Sequence, residues 1–462
     1  MLGENRVKHI DKSMSPLRFW SLIWGLGLAG QLCWNIVNQW FNTFIYAKIA
    51  MDVNIVTAMV ISTSIVSTFS TFYFGTLSDR MGSRRMLISL GYIAWGVLTI
   101  VFGFTEFIGG GVAGDGTMLL FFTATIVVLT GCVMSFFGSM ANDSGFNAWI
   151  NDMTTDKNRG GLGAALATQP VIGTIVGTVA GGLLIGRYDN YQRLFWTMGL
   201  FVIFMGILSL PTLRDAPNLK PNKVGGFWQQ FFSVFNFKEL LKRRELTLAC
   251  VTLIFFFIPF NLFFVHMANW LIHRMGFTPD LMGLIQGSAL IVAMFLAIPG
   301  MVLINKKKTP TVAIAGVIFT AIGLVAISLF VRPGVGDTTT VFASANIPLL
   351  ICVFFVGAGL ILFTQSMNMW VKQLFPEDNR GQFEGIRLLS FMLIPMSVGT
   401  LIGNAVIRRG AGSVVNEFGI VEHIPTEAIF QWAAVLLIPI VIPLFFASRR
   451  YYNRVREEQE NG

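Results

Sequence analysis

The sequence predicts an all-α polytopic membrane protein in which twelve transmembrane helices form two pseudo-symmetric six-helix bundles. Three observations support this prediction. Of the 462 residues, 54% are hydrophobic and only 12% are charged, whereas about a quarter of a soluble globular chain is charged. Apolar runs of about twenty or more residues recur, and each is long enough to cross a hydrocarbon core about 30 Å thick. A polar pattern of fourteen residues also occurs twice.

The duplicated pattern is a polar elbow between two apolar runs. The first copy, residues 147–160, reads N-A-W-I-N-D-M-T-T-D-K-N-R-G, and the second, residues 368–381, reads N-M-W-V-K-Q-L-F-P-E-D-N-R-G. The copies share Asn, Trp and the final Asn-Arg-Gly triplet, and their offset of 221 residues is close to half of the chain. Such repeats among hydrophobic helices build many transporter folds. A helix-end motif used twice only to fix topology is the alternative.

The apolar runs also set the predicted domain boundaries. Residues 1–213 form the N-terminal six-helix bundle, 214–246 a cytoplasmic linker, 247–448 the C-terminal six-helix bundle and 449–462 a cytoplasmic tail. The linker is the only long hydrophilic stretch between the runs. The twelve predicted spans cover approximately 19–47, 53–77, 86–107, 118–147, 162–186, 194–213, 247–272, 281–304, 310–331, 346–371, 383–407 and 427–447.

Lysine and arginine are distributed unequally between the two sides of the predicted membrane. If the N-terminus is cytoplasmic, the segments on its side carry 25 of the 33 Lys and Arg residues and the opposite loops carry seven. Because cytoplasmic loops are enriched in these residues, we expect a multi-pass protein of the cell membrane (plasma or inner) with both termini in the cytoplasm. The polar segment Met1–Pro16 predicts no cleavable signal peptide.

Composition and spacing argue against several other classes. The net charge of +9 reflects the bias of the loops, so we expect no nucleic-acid partner. No His/Asp/Glu cluster, nucleophile–base set or P-loop occurs in the sequence, so we expect neither an enzyme nor a metal site nor a cofactor. The expected partners of a monomeric protein are then membrane lipids and a small-molecule substrate. A non-transporting receptor is an alternative that would leave the duplicated elbows without a role.

A charged motif joins the second and third predicted spans. It reads G-T-L-S-D-R-M-G-S-R-R from Gly75 to Arg85. Asp79 can pair with a neighbouring helix, while Arg80 and Arg84 hold the loop on the cytoplasmic side, so this cluster is a candidate gate, with topology determination as the alternative. The stretch resembles the loop 2–3 signature of the major facilitator superfamily. That resemblance implies two six-helix bundles around a central cavity and alternating access.

The two elbows resemble those of one particular family within this superfamily. Together with D-N-R-G-Q-F-E-G at 378–385, they resemble the charged elbows of the glycoside–pentoside–hexuronide:cation symporters, the relatives of melibiose permease. This resemblance implies secondary active transport of a sugar or glycoside, in symport with H⁺ or Na⁺. It makes the elbow arginines Arg159 and Arg380 candidates for coupling or gating.

Asp143 is the acid that this resemblance singles out. In melibiose-permease relatives a helix-4 aspartate that helps to bind sugar precedes an Asp-Lys pair, and Asp143 stands about thirteen residues before Asp156-Lys157. An intramembrane carboxylate is a functional candidate by default, for substrate binding and for coupling, and a headgroup-level acid is the alternative. The two helix-2 aspartates of the family's cation site are replaced near Ser67 and Thr71, so proton coupling or no coupling stands beside sodium coupling.

An amide stripe on span 1 supplies candidate substrate-binding groups. Gln31, Asn35 and Asn38 recur at helical spacing with Trp34 beside them, and side chains three and four apart share a face. Amides exchange hydrogen bonds with hydroxyls in both directions, and an indole face stacks on a sugar ring. The stripe therefore predicts binding of an uncharged, polyhydroxylated substrate. Hydrogen bonding between membrane helices is the alternative role.

Spans 7 and 10 add further candidates. Asn269 of span 7 and Gln365 and Asn368 of span 10 are predicted to bind substrate. His266 could carry a coupling proton because its charge changes near physiological pH, with packing as the alternative. The 43 Phe and 21 Met residues leave open an exporter of hydrophobic or amphiphilic compounds, or a carrier of lipid-like substrates.

Span 5 carries small residues at a regular spacing. Gly173, Gly177 and Gly181 recur at every fourth position. This spacing predicts a close approach to a neighbouring helix and contributes no chemistry of its own.

Overall fold

Helices dominate the structure, a computed structural model that describes residues 14–110, 116–155, 157–186, 190–217, 219–223, 225–233, 237–334, 336–375, 380–410, 412–415 and 421–460. The first six helical runs are α1 (Pro16–Asn35, Ile36–Trp40, Phe41–Phe44 and Ile45–Ile49), α2 (Val53–Met81), α3 (Arg85–Gly103), α4 (Gly116–Gly138, Ser139–Phe146 and Asn147–Asp152), α5 (Arg159–Ile185) and α6 (Tyr191–Thr212). A 3₁₀ segment, Phe104–Gly110, follows α3, and two short linker helices, Phe227–Ser233 and Phe237–Lys242, follow α6.

The second half of the chain repeats this pattern of long helices. Its runs are α7 (Arg244–Asn269 and Trp270–Arg274), α8 (Pro279–Met294 and Ala297–Asn305), α9 (Thr309–Phe330), α10 (Ile347–Gln373), α11 (Arg380–Leu388, Leu389–Leu393 and Ile394–Arg409) and α12 (Ala428–Leu437, Ile438–Ile440 and Val441–Glu460). A 3₁₀ turn at Ser344–Asn346 precedes α10. Strands β1 (Ser413–Val415) and β2 (Val421–His423) form an antiparallel hairpin between α11 and α12, with Val414 opposite Glu422.

The length and apolar character of these helices confirm the predicted all-α polytopic fold class. Within the described residues, eleven helices are long and apolar enough to cross a membrane. The run α1 is also long enough, but its amide, glycine and tryptophan residues make it less apolar than the others. The inner side of the protein is defined as the membrane side that the sequence predicts to be cytoplasmic, and the outer side is the opposite one.

Side-chain caps begin the helices α1 and α6. Ser15 accepts a hydrogen bond from the backbone N–H of Arg18 at 3.4 Å, and Pro16 occupies the first turn of α1. Asn190 accepts from the backbone N–H of Arg193 at 3.3 Å at the start of α6. Such caps satisfy N–H groups that have no partner within the helix.

In the part of the chain that the structure describes, four long helices contain π-helical turns. These turns lie in α1 (Ile36–Trp40 and Ile45–Ile49), α4 (Ser139–Phe146), α7 (Trp270–Arg274) and α11 (Leu389–Leu393). A π-helical turn holds an extra residue, so it changes which side chains share a face, and such turns are frequent at functional sites. The turn in α4 contains Ser139, Asn142 and Asp143 of the candidate site, and the first turn in α1 contains Asn38 and Gln39.

Packing divides the chain into two compact units. The first unit comprises residues 1–37, 62–177 and 190–232, and the second comprises 38–61, 178–189 and 233–462. The outer parts of α1, α2 and α5 therefore belong to the second unit, together with α7 to α12. The predicted domains are continuous segments of the chain, unlike these two units. The division into two six-helix bundles therefore stays a prediction.

The glycines of α5 lie against α1, which confirms the close helix approach that their spacing predicts. A Cβ atom at Gly173 would lie 2.4 Å from the Cβ of Gln31, and one at Gly177 would lie 2.6 Å from the Oδ1 of Asn35. Gly181 meets the next part of α1 in the same way, within the second unit. Only glycine fits at these positions without displacement of α1.

Candidate functional site

Asp143 lies inside the π-helical part of α4, in the first unit. It stands nine residues before the inner end of α4 at Asp152, about 14 Å along a helix axis. Protein surrounds the side chain, yet the residue keeps part of its accessible surface. This combination is typical of a group that borders an internal cavity.

Two neutral side chains from the same helical turn hold the Asp143 carboxylate. The Ser139 hydroxyl donates to Oδ2 at 3.0 Å, and the Asn142 amide donates to Oδ1 at 3.1 Å. Both donors are themselves fixed, because Ser139 hydrogen-bonds Ser67 of α2 and the Tyr92 hydroxyl of α3 donates to the Oδ1 of Asn142 at 3.1 Å. Three helices therefore position one carboxylate.

The neighbours that hold the Asp143 carboxylate are neutral. Among the described residues, the hydrogen-bond donors found for the Asp143 carboxylate carry no positive charge. A carboxylate within the membrane region costs several kcal/mol when it is ionised without a cationic partner or hydration. Binding of a proton or a small cation would remove that cost.

The α1 residues of the first unit contribute an amide and an indole beside this acid. Trp34 is half-buried and interacts with the Asp143 carboxylate, although its indole N–H lacks a partner at standard hydrogen-bond geometry. Gln31 is also half-buried, and no hydrogen bond from its amide is found within the described residues. Asn35 is only 6% exposed and lies against Gly177 of α5. Gln31 and Trp34 thus keep polar or aromatic surface for a ligand, whereas Asn35 is packed between helices.

The remaining α1 amides belong to the second unit, where Asn42 and Asn269 join α1 to α7. The Asn42 amide donates to the backbone carbonyl of Val265 at 3.3 Å, and the Asn269 amide donates to the carbonyl of Asn42 at 3.1 Å. Asn38 is half-buried, and its carbonyl accepts from Asn42 at 2.9 Å. For Asn269, the structure therefore shows a bond between helices, and its predicted role in substrate binding stays a prediction.

His266 is fully buried near this α1–α7 contact. Both ring nitrogens lack a hydrogen-bond partner among the described residues. A Cβ atom at Gly403 of α11 would lie 3.3 Å from the Cδ2 of the ring, so the imidazole is closely packed. Its predicted role in proton coupling stays a prediction.

A chain of three polar side chains in the second unit was not predicted from the sequence. Thr178 of α5 donates to the Oε1 of Gln39 at 2.9 Å, and the Gln39 amide donates to the Oε1 of Gln286 of α8 at 2.8 Å. All three side chains are buried. The sequence analysis did not single out Gln39, which stands four residues after Asn35 and lies in the π-helical turn Ile36–Trp40, because its partners on α5 and α8 are seen only in the folded chain.

The α10 candidates contact neighbouring helices of the second unit. The Gln365 amide donates to the carbonyl of Ala297 at 3.2 Å, where α8 is interrupted, and its Oε1 is buried without a partner among the described residues. Asn368 accepts a hydrogen bond from the Arg387 guanidinium of α11 at 2.9 Å. The unpaired Gln365 oxygen is an acceptor that a ligand hydroxyl could use.

The predicted gate between α2 and α3 is centred on Arg84. Its side chain is 5% exposed and forms ion pairs with Asp79 and, at 3.0 Å, with Asp152 at the inner end of α4. Burial disfavours the charged guanidinium, but the neighbouring carboxylates outweigh this effect and raise the pKa of Arg84 above its ordinary value. Arg80 instead donates to the carbonyl of Gly225 at 2.9 Å in the linker.

Asp215, which the sequence analysis did not single out, completes this cluster. Its carboxylate accepts from the backbone N–H groups of Arg84 and Arg85 at 2.7 and 2.9 Å and from the Ser83 hydroxyl at 2.6 Å. An acid at a helix N-terminus satisfies unpaired N–H groups and the helix dipole. Asp215 therefore ties the chain after α6 to the start of α3.

In both elbows the indole N–H of the repeated tryptophan donates a hydrogen bond to a residue outside the elbow. Trp149 donates to the carbonyl of Arg214, just after α6, at 2.8 Å. Trp370 donates at 2.8 Å to Glu245 of α7, which also pairs with Arg454 of α12 at 3.1 Å. The side chains of the elbow arginines, Arg159 and Arg380, lie outside the described residues.

The described residues thus combine twelve helical runs with buried amides, a half-accessible intramembrane acid and a charged inner loop, which defines a polytopic membrane transporter. The Major Facilitator Superfamily profile matches residues 23–336. The chain belongs to this superfamily. Among the described residues, no group of three or more His, Cys, Asp and Glu side chains could hold a metal ion.

Comparisons with individual proteins agree with this family. The nucleoside transporter NupG superimposes with a TM-score of 0.66 at 11% identity, over 93% of this chain and 99% of that chain. A D-xylose-proton symporter gives a TM-score of 0.66 at 12% identity, over 93% and 97%. A bacterial homolog of the human lysosomal transporter Spinster, in an inward-facing and unoccupied conformation, gives 0.59 at 16% identity, over 96% and 98%. At these identities the likeness shows the fold.

One curated relative matches a shorter stretch. An uncharacterized transporter of Schizosaccharomyces pombe is 29% identical over 140 residues, which is 30% of this chain and 25% of the relative. The matched stretch of this chain thus spans about a quarter of that relative's length. The narrower resemblance to melibiose-permease relatives stays a prediction.

Proposed function

We propose that the protein is a secondary transporter that carries an uncharged, polyhydroxylated solute, a sugar or glycoside, together with a proton. Asp143 is the coupling group. The observation that supports this proposal is a carboxylate held by a hydroxyl and an amide, without a cationic partner among the described residues. Protonation neutralises this acid, and no ion pair among the described residues has to break for it.

The solute-binding groups are those that leave hydrogen-bonding capacity unused among the described residues. In the first unit, Gln31 offers its amide and Trp34 offers an indole beside the acid. In the second unit, Gln365 offers a buried oxygen. Amides and indoles suit hydroxyl-rich, uncharged ligands. The structural neighbours include proteins described as a xylose-proton symporter and a nucleoside transporter. A sugar-like solute is consistent with these descriptions.

The polar contacts on the outer side of the second unit form the closure that transport must open. Gln39, Thr178 and Gln286 join the outer parts of α1, α5 and α8, and Asn42 and Asn269 join α1 to α7. In alternating access these helices separate when the outer side opens. Short polar contacts suit such a closure, because water can satisfy the same groups once they part.

A second candidate function is export of amphiphilic compounds, and the phenylalanines of α7 are its structural basis. The rings of Phe256 and Phe363 stack with centroids 3.7 Å apart, and Phe257 packs on Phe391 at 4.4 Å. However, Phe256, Phe257 and Phe363 are nearly fully buried against one another. These rings fill a core rather than line an open pocket, so the sugar-transport proposal is favoured.

The protein is proposed to act as a monomer in the cell membrane, surrounded by lipid, with both termini in the cytoplasm. The Lys and Arg bias of the predicted loops supports this orientation. Labelling of single cysteines introduced at Glu457 and at Arg332 with an impermeant reagent, in intact cells, tests it. We expect the cysteine at 332 to react and the cysteine at 457 not to react. Reaction at 457 alone would show that the orientation in the membrane is the opposite of the one proposed.

A ligand screen tests the proposed substrate class. Ligand binding to the folded state raises apparent thermal stability by mass action. We expect purified protein in detergent to be stabilised by one class of sugar or glycoside and the effect to be lost in Gln31→Ala. Stabilisation by amphiphilic compounds alone would replace the proposal with the exporter.

A further inference from the structure

A polar pocket lies at the outer ends of α2 and α11, entirely within the second unit. Its volume is about 660 Å³, which is in the range of small-molecule sites. Its polar lining consists of Asn54, Thr57, Asn404, Arg408, Arg409 and His423. None of the described residues that line it is acidic. None of these residues takes part in the Asp143 site.

The floor of the pocket is a hydrogen-bonded amide and hydroxyl cluster. The Asn404 amide donates to the Oδ1 of Asn54 at 3.1 Å and to the hydroxyl oxygen of Thr57 at 2.9 Å. The Thr57 hydroxyl donates to the carbonyl of Val53 at 2.7 Å. These bonds fix the side chains before a ligand arrives. The Asn404 oxygen and the Asn54 amide nitrogen remain available to a hydroxylated ligand.

Backbone hydrogen bonds hold the hairpin at the edge of the pocket. The N–H of His423 donates to the carbonyl of Met51 at 3.3 Å, and its carbonyl accepts from the Tyr46 hydroxyl at 3.0 Å. The next residue, Ile424, donates to the carbonyl of Gly412 at 2.7 Å. The imidazole is therefore presented from a fixed strand.

Arg408 and Arg409 give the pocket its positive charge. They are the last two residues of α11, both are exposed, and no ion pair of either is found within the described residues. Arg274, another arginine of the predicted outer side, is by contrast paired with Glu427 at 3.4 Å. Outer loops are normally poor in arginine, so two adjacent arginines of this kind beside a preformed polar floor call for a functional explanation. A favourable interaction with the helix dipole explains a single arginine at the C-terminus of α11. It does not explain the polar floor beside it.

We propose that this pocket binds a phosphate ester that carries a hydroxylated group. Two guanidinium groups can hold the phosphate oxygens through paired charge-assisted hydrogen bonds. The Asn404 oxygen and the Asn54 amide nitrogen then bind the hydroxyls of the ester. The same chemistry is offered by the headgroup of an anionic lipid such as phosphatidylglycerol and by a free polyol phosphate such as glycerol 3-phosphate.

Binding measurements on the purified full-length chain test this site. The soluble probes are glycerol 3-phosphate, inorganic phosphate and uncharged glycerol, each at millimolar concentration and measured by calorimetry in detergent. The lipid arm measures retention of phosphatidylglycerol and phosphatidylcholine by native mass spectrometry. The test variant is the double substitution Arg408→Gln with Arg409→Gln, and the control is Arg332→Gln, an exposed arginine of the predicted outer side that does not line the pocket.

We expect the double variant to bind glycerol 3-phosphate or phosphatidylglycerol at least about tenfold more weakly, because each charge-assisted contact contributes that much or more. The Arg332→Gln control should bind as the unchanged protein does. Asn404→Ala should weaken glycerol 3-phosphate more than inorganic phosphate. Saturable binding of glycerol 3-phosphate identifies the free ester as a ligand, and selective retention of phosphatidylglycerol identifies the lipid.

Three results would overturn the proposal. These are no binding of any phosphate probe, equal binding by the double variant and the unchanged protein, and an equal loss in the Arg332→Gln control, which would indicate general charge attraction. Circular dichroism and gel filtration of the double variant verify that it is folded. A charge-neutral substitution at two exposed positions is expected to leave the fold intact.

Discussion

At Asp143 the chain places a carboxylate between a hydroxyl and an amide, whereas Asp79 and Asp152 share the guanidinium of Arg84. The two environments suit different tasks. An acid paired with a permanently charged arginine forms an ion pair that fixes structure. An acid held by neutral donors can gain or lose a proton without the loss of an ion pair.

The first residue-scale prediction concerns Arg84. In Arg84→Gln, two partly exposed carboxylates lose their shared cation, and we expect a loss of about 1–3 kcal/mol in the free energy of unfolding, less than for a fully buried pair. Thermal unfolding in detergent measures it. Arg80→Gln, which removes a contact with the linker, is the matched control and should change stability by less than about 1 kcal/mol. Equal effects of the two substitutions would argue against the ion-pair cluster as the stabilising element.

At the scale of elements, backbone contacts between helices set the packing of the outer side. A Cβ atom at Gly182 of α5 would lie 2.4 Å from the carbonyl oxygen of Pro279, at the start of α8. That oxygen belongs to the backbone and has little room to move. Gly163 lies in the same helix with nothing within 4 Å of an added Cβ.

Alanine at these two glycines should therefore act in opposite directions. We expect Gly182→Ala to lower the free energy of unfolding by about 1–3 kcal/mol through overpacking. Gly163→Ala should raise it by up to about 1 kcal/mol, because alanine favours a helix. Comparison of the two melting temperatures in one detergent is sufficient, and a Gly182→Ala protein as stable as Gly163→Ala would contradict the observed α5–α8 contact.

The repeated elbows allow a second element-scale prediction. Trp149→Phe removes a neutral hydrogen bond to a carbonyl and should cost about 0.5–1.5 kcal/mol, whereas Trp370→Phe removes one to a carboxylate and should cost about 1.5–3 kcal/mol. Trp228→Phe on the linker, where the side chain is 55% exposed, is the control and should be nearly neutral. Thermal unfolding orders the three variants, and a control as destabilised as Trp370→Phe would refute the anchoring role.

At the scale of the whole molecule, apolar length and repetition made the fold predictable. Twelve long apolar runs and a half-chain repeat are local properties of the sequence, and hydrophobic length alone defines most membrane spans. The glycine spacing of α5 likewise indicated a close approach, which Gly173 and Gly177 make with α1.

The parts of the site that the sequence did not reveal depend on tertiary contacts. Gln39 stands four residues after Asn35, but its partners Thr178 and Gln286 belong to other helices. Asp215 and Glu245 also meet their partners from positions distant in the chain. A periodicity argument compares residues within one helix, so it does not identify such contacts.

The measurement that tests proton coupling at Asp143 most directly is solute uptake into proteoliposomes driven by a pH gradient, with the solute identified by the stability screen. We expect the unchanged protein to accumulate the solute when the gradient is imposed. Asp143→Asn keeps the shape of the side chain but not the titratable group. This variant should accumulate at least about tenfold less solute than the unchanged protein, while it still exchanges solute across the membrane. Glu457→Gln, an exposed acid of α12, should behave as the unchanged protein. Full gradient-driven accumulation by Asp143→Asn would contradict the account.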